Sequence, residues 1–203
     1  MKKKWSMVIN IAAVLAIVSC VALLVVRSIT SPVIVDGESM MPTLNNLDYG
    51  QMNVSSLKKK HVKRFNIVIF EDKSKMILIK RVIGLPGETI HIDPLSGELK
   101  VNDRVVEQSF LDEDYVRSTC IASHGVACGK DYEIPEGHYY VLGDNRNHSR
   151  DSEHGLGAVP ASSIHGVLWY INATCSSIGT KENKDGTTSY VCVGKKSTKL
   201  RFF

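Results

Sequence analysis

The sequence MILIKRVI, residues 76–83, decides the fold of this chain. It is a β-prone run, and in an extended strand successive side chains point to opposite faces. Lys80 therefore shares one face with three apolar residues, and Arg81 shares the other face with three more. Both faces are otherwise apolar, so the pattern predicts a strand that carries two cationic side chains into apolar surroundings.

Similar β-prone runs lie on both sides of this strand, separated by Gly, Pro, Asp and Asn. They cover residues 32–35, 49–54, 66–70, 98–101, 138–142 and 165–171. No helical period of useful length interrupts them. The spacing favours antiparallel sheets around one core over alternating βαβ units, so we predict a mostly β domain.

The N-terminal segment has a different character. Residues 7–26, MVINIAAVLAIVSCVALLVV, contain no charge and, at about 1.5 Å per residue in a helix, are long enough to cross a bilayer. Three lysines precede this segment, which places residues 1–6 in the cytoplasm and the rest of the chain outside by the positive-inside rule. A cleaved signal peptide, or lipid attachment at Cys20, are alternatives, but the apolar run continues past Cys20 without a cleavage pattern.

Charge and cysteine content limit the function further. The net charge of +4 is small and three positive charges lie at the N-terminus, so nucleic acid is a poor candidate partner. The basic cluster LKKKHVKR, residues 57–64, fits a solvated loop better than a lipid contact. Cys120, Cys128, Cys175 and Cys192 lie where disulfides persist; local pairs are suggested, and three connectivities or free thiols remain open. No metal-binding spacing is present.

Residues 33–44, VIVDGESMMPTL, predict a strand that ends in a glycine-containing turn presenting Ser39, which Pro42 then stiffens. An exposed, fixed serine is what a nucleophile requires, although most serines in surface turns are only caps or solvated groups. The neighbouring residues contain neither a GxSxG elbow nor an SxxK motif. Met40 and Met41 either pack in the core or offer apolar surface to lipid or substrate.

Lys80 is the candidate base for such a serine. Desolvation disfavours an ammonium group and lowers the pKa of a lysine, which can supply a neutral amine near pH 7. An arbitrary strand lysine more often reaches solvent or pairs with a carboxylate. The polar loop 143–157, GDNRNHSRDSEHGLG, can supply Asp144 to neutralise Arg81 and Ser149 to orient Lys80.

These three segments together resemble the bacterial type I signal peptidases, in order and spacing, across roughly residues 1–171. Residues 37–44, GESMMPTL, resemble the nucleophile motif; residues 80–88, KRVIGLPGE, resemble the lysine motif; and residues 143–152, GDNRNHSRDS, resemble the final motif. The glycine at position 37 is typical of Gram-positive members.

The resemblance implies a mostly antiparallel β fold of the signal-peptidase type with one N-terminal transmembrane helix, and an extracytoplasmic Ser-Lys peptidase domain over residues 27–174. Residues 175–203 are expected to form a peripheral hairpin or tail. Ser39 is implied as the nucleophile and Lys80 as the general base, without metal or cofactor. Ser149 is implied to hydrogen-bond the lysine, Asp144 to pair with Arg81, and Asp151 to support the site.

The implied substrates are secreted preproteins, cleaved after small-x-small sites such as Ala-x-Ala at the outer face of the cell membrane. The implied partners are preprotein signal peptides, the lipid bilayer and the secretion translocon. About a dozen residues separate the anchor from Ser39, which keeps the nucleophile within roughly 40 Å of the membrane. A dedicated peptidase for a few substrates such as pilins is a variant of this interpretation.

Three positions depart from the family pattern. Gly37 stands where some members have a serine that assists the oxyanion hole, which leaves that task to the backbone N–H of Ser39. Glu153 replaces a common arginine, so we expect two acids close together and a weakened loop at Asp151. Asn66 replaces an aspartate, which is expected to change a turn contact only.

Two other classes of protein compete with this interpretation. A non-catalytic relative would use the same scaffold only for binding, which the intact Ser39 and Lys80 disfavour. A self-cleaving repressor-like Ser-Lys protein would carry a helical DNA-binding domain where this chain has an apolar segment.

Overall fold

The computed structural model describes residues 2–55, 62–112, 114–116 and 126–203. Most of the basic cluster at residues 57–64, and Cys120, lie outside this part of the chain. Within it the protein is mostly antiparallel β-sheet preceded by one long helix, as predicted.

The helix α1 spans Lys2–Ile29 and contains the predicted anchor segment. Its part from Asn10 to Ile29 is long and apolar enough to cross a membrane, and its side chains are exposed rather than packed against the β domain. The helix continues three residues beyond the predicted end at residue 26 and has Arg27 in its last turn. It passes directly into the first strand, and the Val54 N–H donates to the Ile29 carbonyl at 2.9 Å.

Fourteen strands follow in the described residues. They are β1 (Thr30–Ile34), β2 (Asp48–Asn53), β3 (Ile67–Glu71), β4 (Ile77–Gly84), β5 (Thr89–Ile92), β6 (Leu99–Val101), β7 (Arg104–Val105), β8 (Tyr132–Glu133), β9 (His138–Leu142), β10 (Val159–Pro160), β11 (Ile164–Thr174), β12 (Ser177–Glu182), β13 (Thr188–Val193) and β14 (Lys196–Phe202). Short helical turns occupy Arg146–His148, Ser152–Leu156 and Ala161–Ser163.

The main sheet has eight strands, and seven of them follow the order β1-β2-β11-β3-β4-β9-β10. The eighth, β14, pairs with the C-terminal half of the long strand β11, whose N-terminal end pairs with β3. A smaller sheet has the order β7-β6-β5-β8, and β12 and β13 form a separate hairpin. All of these strand pairs are antiparallel, as predicted. The strand that carries the two cationic residues, β4, lies between β3 and β9 in the middle of the main sheet.

Three apolar clusters hold these layers together. One fills the space between the smaller sheet and strands β4 and β9. The second packs Met40 and Leu44 against β3 and β11, and the third covers β3, β4 and β9 with β10. Met40 is therefore a core residue, whereas Met41 is 37% exposed. Burial of Met40 and Leu44 fixes the segment between β1 and β2 onto the sheet.

The C-terminal segment is only partly peripheral. Hairpin β12–β13 stands apart from the main sheet and is closed by the Cys175–Cys192 disulfide, one of the two local pairs suggested by the sequence. Cys128 is also disulfide-bonded. The expectation of a peripheral tail is wrong for β14, which joins the main sheet because its backbone pairs with the C-terminal half of β11.

Candidate active site

Ser39 lies in the turn after β1. Gly37 begins this turn with φ of +103°, a conformation that favours glycine over residues with a side chain. Its N–H donates to Asn46 Oδ1 at 2.9 Å. The fully buried Met40 and Leu44 follow Ser39, so the turn is anchored on one side while the serine remains partly exposed.

Lys80 on β4 reaches the turn that carries Ser39 from the sheet. Its Nζ lies 2.7 Å from Ser39 Oγ and 2.8 Å from the Ile79 carbonyl oxygen. The residue is only 2% exposed. A serine and a buried lysine, 41 residues apart in the chain, are therefore in direct hydrogen-bond contact.

Burial changes the proton affinity of this lysine. It lowers the pKa of Lys80 from its usual value of 10.5 to about 8, although the carboxylates of Asp151 and Asp144 partly oppose the shift. A substantial fraction of Lys80 is therefore a neutral amine just above neutral pH. Such an amine can accept the proton of a serine hydroxyl at hydrogen-bond distance.

The neighbouring Arg81 is neutralised inside the protein. Its guanidinium donates to both carboxylate oxygens of Asp144, at 2.8 and 2.6 Å, and the two side chains are only 7% and 1% exposed. Arg81 also donates to the Phe65 carbonyl at 3.0 Å and to Thr43 Oγ1 at 3.3 Å, and it stacks over the ring of Phe110. The predicted Arg81–Asp144 contact is thus present. It is a bidentate ion pair that connects strand β4 to the polar loop 143–157.

Asn145 is a residue at this site to which the sequence gave no separate role. Its backbone N–H donates to the Ser39 carbonyl at 3.0 Å, and its side-chain Nδ2 donates to the Glu38 carbonyl at 3.1 Å. Two bonds from one residue therefore hold the backbone on which the serine stands. The adjacent Gly143 is equally constrained, because a Cβ there would lie 2.5 Å from the Ser39 carbonyl oxygen.

Ser149 does not make the hydrogen bond to Lys80 that the sequence resemblance implied. Its Oγ is buried and has no hydrogen-bond partner within the described residues. The Lys80 amine is instead engaged by Ser39 Oγ and the Ile79 carbonyl. The Ser149 hydroxyl packs against Gly143, where an added Cβ would lie only 2.2 Å from it.

Asp151 is fully buried and organises the loop behind the site. One carboxylate oxygen accepts the Gly143 N–H at 2.8 Å. The other accepts the backbone N–H groups of Glu153 and His154, at 3.1 and 3.3 Å. Because Gly143 lies against the Ser39 carbonyl, Asp151 is connected through one residue to the turn that carries Ser39.

All seven residues selected from the sequence lie in this one cluster. Ser39 and Lys80 are in contact, Arg81 and Asp144 form the adjacent ion pair, and Gly37, Ser149 and Asp151 surround them through the turn and the polar loop. A family model described as signal peptidase, peptidase S26, matches residues 7–171, which contain the whole cluster. The chain belongs to the signal peptidase I family.

The chain is similar to signal peptidases I of several bacteria. Signal peptidase I V of Bacillus subtilis strain 168 is 39% identical over 140 residues, covering 66% of this chain and 80% of the relative. A signal peptidase I of Bacillus amyloliquefaciens is 31% identical over 170 residues, covering 82% of this chain and 85% of the relative. A crystal structure of a signal peptidase I from Enterococcus faecalis V583 has 30% identity and a TM-score of 0.43, covering 53% of this chain and 96% of that one.

Membership makes this chain a serine endopeptidase that acts on the signal peptides of preproteins. The apolar helix α1 at its N-terminus fits the membrane attachment expected of such an enzyme. The expectations of a signal-peptidase-type β fold and of a Gram-positive-like relative are confirmed.

Glu153, the acid that replaces the common arginine, does not weaken its loop as the sequence suggested. Its side chain is buried, and the carboxylate accepts the backbone N–H groups of Ala127 and Cys128, at 3.2 and 3.0 Å, and the hydroxyl of Tyr140. Burial, together with this carboxylate, raises the pKa of Tyr140. The Glu153 carboxylate thus has hydrogen-bond donors from other segments, and these bonds connect the polar loop 143–157 to the backbone at Cys128.

His154 provides a side-chain hydrogen-bond partner for Asp151. Its Nδ1 lies 3.0 Å from Asp151 Oδ1, and this hydrogen bond raises the pKa of His154. The basic partner is thus displaced by one position along the loop relative to the family pattern. Asn66, the third departure, makes a turn contact with its side chain, accepting the Lys63 N–H at 2.9 Å.

Proposed function

We propose that this chain is a membrane-anchored endopeptidase that removes signal peptides after small-x-small sites such as Ala-x-Ala, with Ser39 as nucleophile and Lys80 as general base. The observation that carries the proposal is the 2.7 Å contact between Lys80 Nζ and Ser39 Oγ, made by a lysine that is 2% exposed. Within the described residues no histidine contacts the serine, and the buried amine of Lys80 supplies the base.

The reaction follows from this geometry. Neutral Lys80 takes the hydroxyl proton as Ser39 Oγ attacks the scissile carbonyl carbon, and it then donates that proton to the leaving amine as the C–N bond breaks. A water molecule, deprotonated by Lys80, attacks the resulting ester. The peptide is released with a free carboxyl end, and the proton returns to Ser39.

The oxyanion of each tetrahedral intermediate needs donors beside Ser39. Its own backbone N–H has no acceptor within the described residues, so it is available for this role. The N–H of Gly37 is already bonded to Asn46, and Gly37 therefore supports the site through the shape of the turn rather than as a donor. The unpartnered hydroxyl of Ser149 can accept an N–H of Lys80 when the amine leaves Ser39 during the reaction.

The remaining polar groups keep the site in place. Asp144 neutralises Arg81, which otherwise would be a buried positive charge next to Lys80 and would depress its basicity further. Asp151 fixes Gly143 and, with Asp144, moderates the fall in the pKa of Lys80.

The membrane arrangement that fits this chemistry is a single pass. The N-terminal lysines favour a cytoplasmic N-terminus, so the β domain stands outside the cell membrane, where the secretion translocon delivers preproteins. Ten residues lead from the end of α1 to Ser39, a reach of at most about 35 Å. Met41, two residues after Ser39, and Ile77, on the same strand as Lys80, are exposed apolar residues available to lipid or to the signal peptide.

Substrate preference tests the proposed specificity. A preprotein with an Ala-x-Ala site should be cleaved after the second Ala by the detergent-solubilised protein, because the proposed specificity is for a small side chain before the scissile bond. Replacing that Ala by Leu in the substrate should lower kcat/KM by roughly 100-fold. Mass spectrometry of the new N-terminus gives the position, and equal cleavage of both substrates would contradict small-residue specificity.

The pH dependence of the rate tests the base. If the neutral form of Lys80 is required, kcat/KM should rise about tenfold per pH unit on the acid side and level off above the Lys80 pKa of about 8. A lysine acting as a cation would give the opposite sign, with activity falling as pH rises through that value. Rates on the same peptide from about pH 6 to pH 10 distinguish the two.

A further inference from the structure

The C-terminal strand β14 lies outside the segment that matches the family model, which ends at residue 171. Most of its residues are exposed, and among the described strands its backbone pairs with the C-terminal half of β11 alone. Arg201 is the exception, because its side chain turns inward and is 33% exposed. This arginine connects β14, which lies outside the family match, to the residues that follow Ser39.

Arg201 contacts the nucleophile segment at two points. Its Nη1 donates to the Thr43 carbonyl at 2.8 Å, and its Nη2 pairs with the carboxylate of Asp48, a side chain that is only 3% exposed. The same carboxylate accepts the Asn45 N–H at 2.9 Å. A guanidinium is suited to such a forked contact, because its donors are held in one rigid plane.

The segment that Arg201 contacts, residues 43–48, is hydrogen-bonded to the residues that precede Ser39. Beyond the serine, the Asp48 carbonyl accepts the Val35 N–H and the Val35 carbonyl accepts the Leu47 N–H, both at 2.8 Å. Asn46 accepts the Gly37 N–H at 2.9 Å. Residues 35–37, before Ser39, are therefore hydrogen-bonded to residues 46–48, after it. Arg201 contacts both ends of the loop 43–48.

Other contacts of the C-terminal region converge on the same loop. The Cys175 N–H donates to the Leu47 carbonyl at 2.9 Å, and Lys195 lies over the ring of Tyr49 at 3.7 Å. On its opposite side the loop is reached by Arg81, which donates to Thr43 Oγ1. Thr43 is thus held between Arg81 of the site and Arg201 of the C-terminal strand.

We propose that Arg201 is a positioning residue for the nucleophile: strand β14 uses it to hold the loop 43–48, and through that loop it keeps Ser39 Oγ within reach of Lys80. The inference rests on the proposed Ser39–Lys80 mechanism. It gives residues 196–203 a part in catalysis that the family comparison does not assign to them.

The experiment uses full-length, detergent-solubilised protein with a preprotein substrate. Arg201→Ala would leave the buried Asp48 carboxylate without its cationic partner, so a failure of this variant to fold would not test the inference. The decisive variants are therefore Arg201→Lys, which keeps the charge beside Asp48 but not the fork, and the double variant Arg201→Met with Asp48→Asn, which removes the charges together. Lys199→Met is the matched control, because Lys199 is an exposed cation on the same strand.

The double variant should be folded and should lose about tenfold in kcat, because small displacements of a reacting group have effects of this size or more. KM should stay within about twofold, and the pH midpoint of the rate should be unchanged, because the lysine base is untouched. Arg201→Lys should show a smaller loss of kcat, and Lys199→Met should match the parent.

Folded Arg201 variants with the parent kcat would overturn the inference, as would a loss that appears only in thermal stability. If the double variant does not fold, the kcat of Arg201→Lys decides the question by itself. Ser39→Ala is assayed in parallel: if it retains turnover, the proposed mechanism fails, whereas an inactive Ser39→Ala beside parent-like Arg201 variants rejects only the positioning role.

Discussion

Replacing Lys80 by methionine is expected to lower kcat/KM by roughly 10⁴-fold while leaving the protein folded. Methionine has a similar length and is apolar, so it fits the space of a side chain that is 2% exposed. It cannot take the proton from Ser39 Oγ, which lies 2.7 Å from the lysine amine. The rate of preprotein cleavage measured over a range of substrate concentrations gives the loss directly.

The same substitution has an expected effect on stability. The pKa of Lys80 is lowered by burial, so the unfolded chain binds more protons than the folded one between about pH 8 and the ordinary lysine value of 10.5. The resulting penalty is fully present below about pH 8 and disappears as pH rises through this window. Lys80→Met removes it, so the variant should unfold at a higher temperature than the parent near neutral pH.

Lys75→Met is the matched control for this experiment. Lys75 is five positions away in the chain, its side chain is 82% exposed, and it pairs with Glu71 at the surface. It should cleave substrate like the parent. A Lys80→Met protein with activity comparable to this control would show that Lys80 is not the base.

Asp144→Ala is expected to destabilise the protein by about 3–5 kcal/mol, because it leaves a buried cation without its partner. Arg81 loses two charge-assisted hydrogen bonds while remaining 7% exposed. Arg146, which is also buried, loses a nearby negative charge that supports its protonated form. Denaturant unfolding of the parent and the variant measures the difference.

Asp131→Ala is the corresponding surface control. Its side chain is 72% exposed and contacts His91, far less buried than the pair at the site. It should change the free energy of unfolding by less than about 1 kcal/mol. If Asp144→Ala unfolded at the same denaturant concentration as this control, the Arg81–Asp144 pair would not stabilise the protein and the account of its role would be wrong.

Most strands of the main sheet could be predicted from the sequence, but β14 could not. Strands β3, β4 and β9 begin and end within one residue of the predicted runs, because their side chains are buried in the main sheet. Strand β14, KSTKLRF, lacks such a pattern, since it is held by backbone pairing to β11 and by one arginine rather than by an apolar face. The four-residue strand β5 is equally short of local signal.

The candidate site was recognised from motifs rather than from spacing. Nothing local in the sequence brings Ser39 to Lys80, and it was the resemblance of three segments to one family that linked them. Contacts outside that pattern were missed for the same reason. Glu153 accepts hydrogen bonds from backbone groups of a distant segment. His154, one position after the arginine of the family pattern, contacts Asp151. Arg201 contacts Asp48, 153 positions away in the chain. Each depends on the tertiary fold.

The most direct test of the central claim is to incubate a preprotein carrying an Ala-x-Ala site with the detergent-solubilised protein and with Ser39→Ala in parallel, and to determine the new N-terminus by mass spectrometry. Cleavage after the second Ala by the parent, and none by a folded Ser39→Ala, is the predicted result. Cleavage at the same bond by Ser39→Ala, or no cleavage by the folded parent, would contradict the proposal that Ser39 and Lys80 process signal peptides.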